Sequence, residues 1–187
     1  MVVTDKQKQS ILRVARRVVE QAVRREPVSA FESEDPLFNE KRGCFVTLHN
    51  QGRLRGCIGH FQPSGPLIKT IRDMAQAATG DQRFVQNPVT SAELQEIDIE
   101  VSILSPLELT DDPLSLKLGK HGIYITQGSA SGCYLPQVAT ETGWSKEEFL
   151  SHCCADKAFL PADAWKQPAS QVFLFSAEVF DEKDFSQ

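Results

Sequence analysis

A chain of 187 residues that is 41% hydrophobic and 24% charged can bury a core without disulfides or metal, so disorder is not its default state. Its formal net charge of −5 disfavours wholesale binding to polyphosphates, and no nucleic-acid partner is expected. No segment resembles a signal peptide or a membrane span, so a cytoplasmic protein with no membrane contact is expected, its five cysteines all free thiols.

The first predicted element is a helix capped by Thr4 or Asp5, with Ile11, Val14, Ala15, Val18 and Ala22 on one stripe and Pro27 as its stop. Arg13, Arg16, Arg17, Arg24 and Arg25 alternate with that stripe and read as a solvated face. Residues 26–42 read as a loop. Cys44 to Leu48 and Leu54 to Phe61 follow as two strands of a hairpin, joined by a turn-rich segment that contains Gly52. Pro66 opens a second helix to about Thr79, with Gly80 at its end. Ile97 to Leu104 alternates cleanly and predicts a strand with one dry and one polar face. Gly122 to Gln127 and Cys133 to Leu135 predict short strands, Pro136 a short helix, and Ser145 to Cys154 a longer one with a Ser145–Glu148 capping box. Gln171 to Phe180 is a continuous apolar run and reads as one central strand buried on both faces. Helices interleaved with hairpins predict an α+β fold with antiparallel sheet, in one compact domain over residues 1–187 that carries at most a second lobe.

Chemistry concentrates around Leu54-Arg55-Gly56-Cys57-Ile58-Gly59. Strand alternation puts Arg55 and Cys57 on one face, where a guanidinium would favour a thiolate. Gly56 and Gly59 would let a ligand or another backbone come close. The competing reading is a small cysteine that only packs. On the Ile97 strand, Glu100 and Ser102 fall on the polar face, and Glu100 could pair with Arg55 or simply be solvated. His121, between glycines, can serve a cleft as acid or base, or sit in water as a turn residue. Gln137 opens a helix, and Asp81 with Arg83 forms either a structural pair or a pocket rim. No metal-ligand spacing, phosphate loop or Gly-x-Ser-x-Gly elbow is present.

Taken together, Gly43-Cys44-Phe45-Val46-Thr47-Leu48, the Arg-Gly-Cys-Ile-Gly core, Asp81 with Arg83-Phe84, Glu93-Leu94, Ile99-Glu100-Val101-Ser102, Lys120-His121-Gly122, Leu135-Pro136-Gln137-Val138, Trp144, Phe149-Leu150 and Trp165 resemble the AMMECR domain family in order and spacing. The resemblance implies an antiparallel β-sheet flanked by helices, with a smaller second lobe, and a biochemical activity that is not established. It implies motif residues around a cleft, here Arg55, Cys57, Asp81, Arg83, Glu100, Ser102, His121 and Gln137. It also implies a genomic association with a Memo-like protein and a radical SAM enzyme, and names no cofactor and no small-molecule or peptide substrate. Three roles follow: an accessory or substrate-presenting component of that system, a cysteine-dependent enzyme with Cys57 as nucleophile and His121 as base, or a structural interaction module. Two departures stand out. Gln82 replaces the proline of Asp-Pro-Arg-Phe, and Cys154 to Leu160 carries one extra residue with Phe159 where the family has glycine.

Overall fold

The computed structural model describes residues 3–185. These form an α+β protein of two compact units, Met1–Leu104 with Glu178–Gln187, and Ser105–Ala177. Each unit holds one four-stranded antiparallel sheet.

The first unit begins with helix α1 (Asp5–Val23), where Thr4 and Gln7 form a reciprocal capping box and Ile11, Leu12, Ala15, Val18 and Val19 are buried. Strands β1 (Cys44–Asn50) and β2 (Arg53–His60) form the expected hairpin. Gln51 and Gly52 turn it, with φ of 49° and 77°, the two positive angles that a tight two-residue hairpin demands. Helix α2 (Leu67–Thr79) and strand β3 (Ile97–Leu104) follow, and β8 (Ala177–Asp181) completes the sheet in the order β2-β1-β3-β8. Val46, Leu48, Ile99 and Val101 point to a core shared with Val18 and Val19 of α1 and Ile71 and Ala75 of α2. The opposite face of β1 and β3 carries the polar residues, as the alternation requires.

The second unit holds β4 (Glu108–Thr110), β5 (Gly122–Gln127), β6 (Ala130–Tyr134) and β7 (Gln171–Phe175) in the order β4-β7-β5-β6. Helices α3 (Pro136–Thr142) and α4 (Lys146–His152) accompany the sheet, and Phe149, Leu150, Cys153 and Trp165 pack with Ile123 and Ile125 in its core. Ser145 and Glu148 form the predicted capping box.

Two expectations need correction. The apolar run from Gln171 to Phe180 is not one strand: it breaks at Ser176 into β7 and β8, which belong to different sheets. Hydropathy reports burial but not which sheet provides it. The helix from Ser145 is also shorter than expected, because Cys153–Lys157 forms a π-helical turn closed by the Ala158 N–H donating to the Cys153 carbonyl at 3.0 Å. Such a turn takes up one additional residue without breaking the helix. It coincides with the extra residue of this segment, and Phe159 then takes the glycine position with φ of 56°.

Candidate functional site

The signature strand β2 is an edge strand, and nearly every residue of its core has a defined task. Gly56 leaves no room for a side chain, since a Cβ there would overlap the backbone carbonyl of Ala78 at the end of α2. Its missing Cβ is what lets helix and strand approach. Gly59 lies beneath the ring of Phe45, which also meets Phe61 edge to face at 5.0 Å between centroids.

Cys57 is held by its backbone. Its N–H donates to Asp81 Oδ2 at 2.9 Å, and its carbonyl accepts from Arg83 Nη2 at 3.0 Å. Asp81 and Arg83 are themselves paired, Nη2 to Oδ2 at 2.6 Å. The pair therefore caps the open peptide edge of the strand, a place where an unpaired edge would otherwise invite another chain. The Arg83 guanidinium, with the N–H groups of Cys57 and Arg83, holds the Asp81 carboxyl well below the usual carboxylate range against the opposing effect of burial. Gln82 in place of proline leaves this clamp intact, because the ion pair spans the positions on either side of it.

Arg55 does not meet Glu100. The register shifts between Leu48 and His49, so that Leu54 lies opposite His49 and Gly56 opposite Leu48, with Arg55 as the extra residue of a bulge. Bulges re-aim side chains. The Arg55 guanidinium, buried at 9% exposure, instead forms a two-pronged contact with Glu93 at 3.0 and 3.2 Å and donates to the carbonyls of Asn87 and Pro88. Burial pushes the Glu93 carboxyl up, but Arg55 and Thr90 outweigh it and bring it down to about 2. Arg55 thus staples the 87–93 segment to the hairpin, and the expected guanidinium next to the Cys57 thiol is corrected to a structural ion pair.

What alternation does bring together is a row across three strands. Cys57 lies opposite Thr47, and Thr47 opposite Glu100. The Thr47 hydroxyl donates to Cys57 Sγ at 3.3 Å. Ser102 occupies the next row on this face, opposite Phe45. Burial raises the Glu100 carboxyl above its ordinary value; Asp181, Asp98 and Asp184 add to the rise and His49 opposes it. Cys57 and Glu100 are half-buried and can hydrogen-bond a ligand, while Thr47 and Ser102 are buried. Thr47 and Glu93 were not picked out from the sequence as site residues. Thr47 was findable, since it shares the parity of Phe45 on the strand between Cys57 and Glu100.

The other two candidates lie in the second unit. His121 precedes β5, where its Nδ1 accepts from the Lys117 N–H at 3.4 Å, and burial together with Lys120 and Lys117 lowers its proton affinity. Gln137 sits in the first turn of α3, and its Oε1 is buried with no hydrogen-bond partner among the described residues. All five cysteines are free; burial pushes Cys133 up to about 11 and raises Cys44, Cys153 and Cys154 as well. Among the described residues, no group of His, Cys, Asp and Glu could hold a metal ion, and no helix is long and apolar enough to cross a membrane.

A family model described as AMMECR1 matches residues 12–180. A protein of Methanothermobacter thermautotrophicus is 42% identical over 181 residues, covering 92% of this chain and 93% of its own length. A protein of Methanocaldococcus jannaschii is 43% identical, covering 91% and 88%. The fold matches the crystal structure of an uncharacterized protein from Pyrococcus horikoshii with a TM-score of 0.84 and 36% identity, over 97% of this chain and 94% of that one.

Proposed function

The chain belongs to the AMMECR1 family, and from that premise we propose that it is a ligand- or substrate-presenting accessory component of an AmmeMemoRadiSam-type system, acting in the cytoplasm with a Memo-like protein and a radical SAM enzyme. The two units are read as lobes of one AMMECR-type domain over 1–187. The ligand meets the sheet face that carries Cys57, Thr47, Glu100 and Ser102. Asp81 and Arg83 complete the site set of this unit, holding the backbone of Cys57 while Arg83 also interacts with its side chain. His121 and Gln137 are candidate residues of the second unit, read by themselves.

One observation carries this preference for presentation over self-contained catalysis. Cys57 Sγ accepts from a threonine hydroxyl, which takes no proton from it, and its other side-chain neighbour, Arg83, is a cation and no base. A nucleophilic cysteine needs a base to take its proton or an uncommitted cation to hold its thiolate. Arg55 is committed to Glu93, and Arg83, whose guanidinium does interact with the Cys57 side chain, is already paired with Asp81. A second reading, a purely structural module, is favoured by how many signature residues are spent on holding β2.

Reconstitution with a Memo-like protein and a radical SAM enzyme from one organism tests the proposal. The expected result is a complex on size exclusion, and turnover by the radical enzyme that depends on this chain and falls with Cys57→Ser or Glu100→Gln while the complex persists. No association would overturn it. Rapid alkylation of Cys57 at neutral pH in the isolated protein would then favour the nucleophile, and resistance to alkylation the structural module.

A further inference from the structure

Helix α1 carries Lys6, Lys8, Arg13, Arg16 and Arg17 against Asp5 and Glu20, in a chain whose net charge is −5. Read from sequence, its arginines belong to a solvated face. The surface there is concave. Gln9, Arg13, Arg16 and Glu20 recur at helical spacing along one side of a cleft of about 650 Å³, with Leu12 and Phe185 as its apolar wall.

The three arginines of this cleft differ in what they already hold. Arg16 is committed: it pairs with Glu182 and donates to the carbonyls of Leu94 and Ile97 at 2.9 and 2.6 Å. Arg13 donates to Ser10 Oγ at 3.0 Å, and Arg17 lies over the Phe31 ring at 5.6 Å from its centre. Neither forms an ion pair among the described residues. Both also line an adjoining depression of about 310 Å³, whose walls include Val14, Phe31 and Ile68. Two guanidiniums one helical turn apart therefore stand on the seam between two concavities with apolar walls. Like charges at that spacing repel slightly, and a bound anion relieves the repulsion. The methylene stems of the arginines extend the apolar wall.

We infer that this cleft binds an anionic amphiphile, a small molecule with a carboxylate-type head held by Arg13 and Arg17 and an aliphatic or aromatic body laid against Leu12 and Phe185. A guanidinium can meet a carboxylate with two parallel hydrogen bonds, which suits such a head. Glu20 in the wall disfavours a polyanion, so the head carries a single charge. The site lies apart from the Cys57 face and does not rest on the function proposed for it.

The test uses the full chain labelled with nitrogen-15 and three probes below their micellar concentrations: decanoate, decanol and decyltrimethylammonium. Decanoate is expected to give saturable amide shifts in residues 9–20 and 182–185. Decanol should bind more weakly by about tenfold or more, the ammonium should not bind there, and added salt should weaken decanoate. The Arg13→Gln, Arg17→Gln double variant should lose decanoate binding by about tenfold or more while keeping the urea midpoint of the parent, because both side chains lie outside the core. The inference is overturned if decanoate causes no saturable shift, if its shifts lie elsewhere, if decanol or the ammonium binds as well, or if the double variant keeps full affinity.

Discussion

The signature strand and the segment from Cys153 to Leu160 both use a position where glycine is expected, for opposite reasons. At Gly56 glycine supplies the absence of a side chain: a Cβ has nowhere to go against the Ala78 carbonyl. At Phe159 the requirement is a dihedral, φ of 56°, and the ring stands in solvent at 88% exposure. A missing volume cannot be replaced by another residue, whereas an unfavourable backbone angle can be tolerated at a modest cost. That difference explains how this chain departs from the family pattern at 159 while its Arg-Gly-Cys-Ile-Gly core is kept whole.

The largest effect that would sharpen the contrast is that of Gly56→Val. It should lower stability by more than about 3 kcal/mol, since neither the strand nor the helix backbone can move without disturbing the core. Urea denaturation against the parent reads it, and a loss under about 1 kcal/mol would mean that the close approach is not rigid.

Arg55→Ala comes next. It strands Glu93 and two carbonyls and should cost about 2–3 kcal/mol. Thiol counting on the folded variant should show Cys57 no less accessible than before, because the guanidinium is directed to Glu93. A large drop in Cys57 alkylation would restore an activating role for Arg55.

A smaller and gradual effect is expected in acid. The folded Glu93 carboxyl lies at about 2 against an ordinary 4.5, so its contribution is fully present above that ordinary value and is lost as pH falls toward the folded one. Asp81, held lower still, extends the loss in the same direction. Stability followed by denaturant midpoint should therefore decline from roughly pH 4.5 downward, and Glu93→Gln should flatten the upper part of that decline. An unchanged profile in the variant would remove Glu93 from the account.

The smallest effect is a gain. Phe159→Gly should stabilise by about 1 kcal/mol, since the angle costs a non-glycine residue roughly that much and the exposed ring contributes little burial. A loss of stability would show that the phenyl ring makes contacts that outweigh its backbone strain.

Much of this architecture was legible in the residues because it is local. The caps at Thr4 and Ser145, the stripe of α1, the Gln51-Gly52 turn and the alternation of β3 each depend on neighbours within a few positions. Parity alone also put Cys57, Glu100 and Ser102 on the polar sides of their strands. Register and partner choice are not local. One bulged residue in β2 sends Arg55 to Glu93, thirty-eight positions away, and away from Glu100. The break at Ser176 hands two halves of one apolar run to two sheets. The arginines of α1 become a cleft only when Phe185 and Glu182 come back alongside the helix. Sequence periodicity determines which face of an element is dry, because that depends on the chain's own geometry. Which charge meets which depends on a fold that brings distant segments within a hydrogen bond's reach, and only the tertiary structure supplies that distance.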